Sequence, residues 1–75
     1  MNMDFLKLCQ DSVIKLAEDK LGRPLTEQEV YGIRNIHSPM MLEAYEREFD
    51  WHETTTEQIQ AALDYCAKQT IPFKL

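Results

Sequence analysis

Seventy-five residues, 44% of them hydrophobic and 28% charged, leave room for one helical domain over 1–75 and exclude large wound sheets, barrels and two-domain clefts. A chain this short buries only about 60% of the surface its unfolded form exposes, so its core is small and its stability marginal. Thirteen Asp and Glu against eight Lys and Arg give a net charge of -5, the wrong sign for a nonspecific grip on phosphate backbones or anionic membranes.

At 100° per residue, Phe5, Leu6, Cys9, Val13, Ile14, Leu16, Ala17 and Leu21 fall on one half of a helical wheel. Asp4, Lys7, Asp11, Lys15, Glu18 and Asp19 fill the other half. That pattern predicts an amphipathic helix over about 3–21, stopped by Gly22. Lys7 and Gln10 interrupt its apolar run, which therefore serves neither as a signal-peptide core nor as a membrane span. Cys9 and Cys66 both lie on apolar faces and read as buried free thiols of a reducing compartment, so the expected location is cytoplasmic.

Thr26 and Glu29 have capping-box spacing, with Leu25 and Val30 placed as a hydrophobic staple around it. A second helix is predicted over about 27–36, with Val30, Ile33 and Ile36 on one stripe. Gly32 inside it signals either a weak helix or the close approach of a neighbour. Ser38-Pro39 is a cap followed by a proline at the first helical position. It opens a third helix over about 39–50 whose inward stripe is Met41, Leu42, Tyr45 and Phe49. Thr54 or Thr56 caps a fourth helix over about 57–69, with Glu57 in its first turn and Ile59, Ala62, Leu63 and Cys66 inward. Beyond it, Thr70-Ile71-Pro72-Phe73-Lys74-Leu75 reads as a short extended tail, either laid over the bundle or free as a docking peptide. The expected fold class is thus all-α, a compact bundle of three to four helices.

Little in this pattern carries chemistry. Cys9, His37, His52 and Cys66 are scattered singly, unlike the paired ligands of structural zinc sites. There is no nucleophile motif and no Gly-rich phosphate loop, so neither enzymatic activity nor a cofactor or metal is expected. His52, flanked by Asp50 and Glu53, reads as a solvated histidine near the end of the third helix. A helix-turn-helix around residues 35–39 would use the third helix for recognition. It would then set Glu43, Glu46, Glu48 and Asp50 beside two rows of phosphates, which electrostatics opposes.

The charge is not spread evenly. Residues 43–57 hold Glu43, Glu46, Glu48, Asp50, Glu53 and Glu57 against Arg47 alone, so this stretch carries the whole excess of -5. Glu43, Glu46, Asp50 and, if the helix reaches it, Glu53 fall within a sector of about 80° beside the apolar stripe, while Met40, Arg47 and Trp51 occupy the other flank. A run of charge often marks no more than a solvated face. The functional expectation is a recognition edge made of Met40, Glu43, Glu46, Arg47, Asp50, Trp51 and Glu53. There the acids steer a basic protein surface and the apolar side chains anchor it. The implied role is an adaptor or inhibitor, with two specialised forms: a phage-type host inhibitor, or a mimic of the nucleic-acid backbone that fills a basic channel. Direct contact with nucleic acid or membrane is not expected. The alternative is a structural protein that completes its core as a homodimer, with Gly32 at a close helix crossing.

Overall fold

The computed structural model describes residues 3–70, and these form an all-α bundle of four helices: α1 (Met3–Leu21), α2 (Glu27–Arg34), α3 (Pro39–Asp50) and α4 (Thr56–Thr70). Of the tail expected over 70–75, Thr70 is the last residue of α4 and the rest lies outside the described residues. Each boundary has a local cause. Gly22 ends α1 at φ +72, with its N–H donating to the Glu18 carbonyl at 2.8 Å. The Thr26–Glu29 capping box forms in both directions, at 3.1 and 2.9 Å. The Ser38 hydroxyl accepts from the Met41 N–H, with Pro39 next in the chain.

Two boundaries depart from expectation. α2 stops at Arg34, because Asn35 closes it with both its backbone and side-chain N–H on the Tyr31 carbonyl. The cap of α4 is Thr55, which exchanges hydrogen bonds with Gln58 at 2.9 and 3.1 Å. The Thr54 hydroxyl turns back instead and donates at 2.7 Å to the Glu48 carbonyl, which also accepts from the Trp51 N–H at 3.2 Å at the end of α3.

All four helices feed one core of Leu6, Val13, Ala17, Ile33, Leu42, Phe49, Ile59 and Leu63. The molecule is only 19 Å across its shortest dimension, two helices thick. α1 packs mainly on α3 and α2 mainly on α4. Within each pair the helices run in the same direction: Glu29 meets Gln60 and Gly32 meets Ala67, while Cys9 shares a groove with Met40 and Asp19 shares one with Asp50.

The buried stripe of α1 is Leu6, Gln10, Val13 and Ala17. Gln10 counts as a surface residue on a polarity wheel, yet it is 5% exposed. Its amide donates to the carbonyls of Arg34 and Ile36, both at 3.0 Å, supplying partners that the end of α2 lacks. Including Gln10 rotates the stripe, so Phe5, expected inside, sits about 110° from its centre and is half exposed. Met41 is half exposed for the same reason, about 90° from the Leu42–Phe49 line.

Gly32 resolves as a close approach. A Cβ there would lie 2.8 Å from the Ala67 nitrogen and 2.9 Å from Ala67 Cα, backbone atoms that cannot move aside without shifting α4. Gly32→Ala in an open helix would gain up to about 1 kcal/mol from propensity. Here overpacking of about 1–3 kcal/mol dominates. The variant is therefore expected to unfold at a lower urea concentration than the parent, and an unchanged or higher midpoint would show that the helices are not in contact there.

Candidate functional site

Leu42 and Phe49, fully buried, fix the rotation of α3 and so decide what its other faces present. Glu43, Arg47 and Asp50 are exposed and Glu46 half-buried on the side toward α1. Met40 is 79% exposed in the first turn. Trp51, 55% exposed, lies just past the last turn, about 16 Å from Met40 along the axis. The two apolar side chains therefore sit at opposite ends of α3. α3 does not reach Glu53: Trp51 adopts extended backbone at φ -67, ψ 126, and Trp51, His52 and Glu53 belong to the connection to α4. The Trp51 and His52 rings meet at 4.9 Å, and His52 Nε2 is 3.7 Å from a Glu53 carboxylate oxygen.

Three shallow grooves connect these residues. Met40, Glu43 and Glu46 share the first with Phe5, Cys9 and Leu42. Glu46, Arg47 and Asp50 share the second with Lys15, Leu16 and Asp19 of α1. Arg47, Trp51 and Glu53 share the third with Glu48 and Gln58. Arg47 offsets one acid of the ridge, reaching a Glu43 carboxylate oxygen at 3.7 Å. Both side chains are solvated, so the pair adds little stability. Among the described residues, no ion pair joins Glu46 or Asp50 to a base. Sequence reasoning missed the α1 contribution. Phe5 and Leu8, 51% and 64% exposed, stand three residues apart on one flank of α1. The available signal was Leu8, an apolar residue outside the predicted stripe.

The tightest ionic cluster lies elsewhere and is structural. Both nitrogens of the Arg23 fork donate to the Glu29 carboxylate at 3.1 Å. The Thr26 N–H reaches the same carboxylate at 2.9 Å and the Gln60 amide at 2.6 Å. Gln60 also accepts from Arg23 and donates to Asp64 at 3.0 Å. Both Glu29 oxygens are thus occupied, and the cluster ties the α1–α2 loop and α2 to α4. The Arg23 guanidinium foremost, with Gln60 and Thr26, holds the Glu29 carboxyl down at about 2 despite its burial. The Tyr45 phenol is pushed above its ordinary value by burial and by the neighbouring Cys66. Cys9 and Cys66 are free thiols. Among the described residues, no three His, Cys, Asp or Glu side chains converge as a metal site, and no helix is long and apolar enough to cross a membrane.

Comparison with protein-family models, with curated proteins and with solved structures returns no match to this chain.

The Glu29 cluster makes stability depend on pH. Well above pH 4.5 the carboxylate is ionised in folded and unfolded chains alike and its contribution is complete. As pH falls toward 2 the unfolded chain takes up the proton first, and that stability is lost. Chemical denaturation across this range should show the decline in the parent and a flatter, lower profile in Glu29→Gln. Parallel profiles would mean that Glu29 is not held ionised by Arg23.

Proposed function

We propose that the protein is a small, non-enzymatic binding module of the cytoplasm that docks the outer α1–α3 face on a basic surface of another protein, as an adaptor or inhibitor. The observation that carries this reading is the arrangement of Glu43, Glu46 and Asp50 beside the exposed Met40 and Phe5. Carboxylates in excess over bases raise the rate of encounter with a positive surface, and nearby apolar side chains slow departure once water is expelled. Mimicry of a nucleic-acid backbone, as in a phage-type host inhibitor, is a special case of the same surface. The free thiols suit a reducing compartment.

A different observation supports a second reading, self-association. Tyr31, Met41 and Tyr65 are each about half exposed, and Met41 and Tyr65 border a groove of Ile36, His37 and Tyr45 that carries no carboxylate. Two copies meeting there would avoid acid against acid. Light scattering over a concentration series separates the readings, since a concentration-independent dimer favours self-association and a monomer favours a foreign partner.

Affinity capture from the native host, in low salt and again in about 0.5 M salt, tests the main reading. A basic partner should be retained at low salt, released at high salt, and lost to a variant combining Glu43→Gln, Glu46→Gln and Asp50→Asn. Retention by that variant at parental levels would reject the ridge as the site. With the partner in hand, Met40→Ala is expected to speed dissociation about tenfold or more while barely changing association. An unchanged dissociation rate would remove Met40 as an anchor.

A further inference from the structure

The α1–α3 face is a channel between two helices, and the order of its chemistry selects an occupant. Phe5 and Met40 line one end. Asp19 and Asp50 line the other together with Lys15 and Arg47, and with Glu46 the acids still outnumber the bases there by three to two. Glu46 borders both sections and makes them continuous. Since α1 and α3 run in the same direction, the carboxylates of Asp19 and Asp50 coincide with the C-terminal, negative ends of both helix dipoles. From Met40 to Asp50 the channel is about 15 Å long, the length of about ten helical residues.

Resting on the protein-binding reading above, we propose that this channel receives a basic amphipathic α-helix of the partner, running opposite to α1 and α3. Its positive N-terminal end meets Asp19 and Asp50. Basic side chains four apart reach Asp50 and Glu46, which are themselves four apart on α3, and a large apolar residue in its C-terminal half covers Phe5 and Met40. A helix satisfies its own backbone hydrogen bonds, as an occupant of a helix-walled groove must. An extended peptide gains its affinity by adding to a sheet edge, and the described residues contain no strand. A second copy of this chain, docking by the same face about a two-fold axis, would bring the acidic set Glu43, Glu46 and Asp50 of one copy against the same set of the other. Charge opposes that arrangement.

Three synthetic peptides of about 14 residues and identical basic-apolar composition test the proposal on the intact protein. The first is amphipathic with its apolar residue in the C-terminal half. The second has the same layout reversed, and the third is scrambled so that no face survives. Titrations followed by backbone amide shifts should show the first binding about tenfold tighter than the others. A nitroxide on its N-terminus should broaden the amides of Asp19 and Asp50 more strongly than those of Phe5 and Met40. Glu46→Gln with Asp50→Asn should weaken the first peptide about tenfold, with the amide spectrum of the core unchanged. Equal binding of the three peptides, no binding of the first, or stronger broadening at Phe5 and Met40 than at Asp19 and Asp50 would overturn the proposal. The capture experiment with the whole partner is independent of these peptides, so failure of the helical occupant and failure of the protein-binding reading remain distinguishable.

Discussion

The backbones of α2 and α4 touch at Gly32 and Ala67, where a single added carbon would fall 2.8 Å from a main-chain nitrogen. That contact sets the distance between the two helices. Three residues earlier in α2, Glu29 sets their register by accepting from Gln60 of α4 while it caps its own helix and holds Arg23 of the preceding loop. Ten buried apolar side chains among the described residues make a small core for four helices. Directional contacts of this kind supply uniqueness that hydrophobic burial alone does not. The interaction is also fully satisfied: every carboxylate oxygen of Glu29 has donors, so its burial does not leave a charge uncompensated.

The other pair is joined differently. α1 and α3 meet through Val13, Ala17, Leu42 and Phe49 in the shared core, and the Gln10 amide fastens α1 to the end of α2. The Asp11 carboxylate adds an ion pair to Arg34 at 2.6 Å beside that bond. These contacts lie in the core and on the side toward α2. They leave the outer side of α1 and α3 with Phe5, Leu8 and Met40 in solvent and with acids that outnumber the bases Lys15 and Arg47.

Helix extents were largely legible because their signals are local: Gly22, Thr26 with Glu29, and Ser38-Pro39 each act within four residues of the boundary they fix. The uneven charge was legible for the same reason, since residues 43–57 are contiguous. What escaped depends on partners distant in sequence. Gln10 is polar, and only the carbonyls of Arg34 and Ile36 explain its burial. Phe5 is apolar, and only the resulting rotation of α1 explains its exposure. Gly32 pointed to a close approach but could not say that Ala67 was the neighbour. The candidate surface was read from α3 alone and included Trp51 and Glu53, which the end of α3 at Asp50 assigns to the following turn. Its α1 wall, with Phe5, Lys15 and Asp19, emerges only when the two helices are laid side by side.

The central proposal is that the outer α1–α3 face binds a partner, while the inward faces of all four helices hold the fold. Carboxylate footprinting of the captured complex against the free protein tests it most directly. The account predicts that Glu43, Glu46, Asp50 and Asp19 lose reactivity on binding, while Glu27, Glu57 and Asp64 keep theirs. Protection of the second set, with the first unchanged, would contradict it.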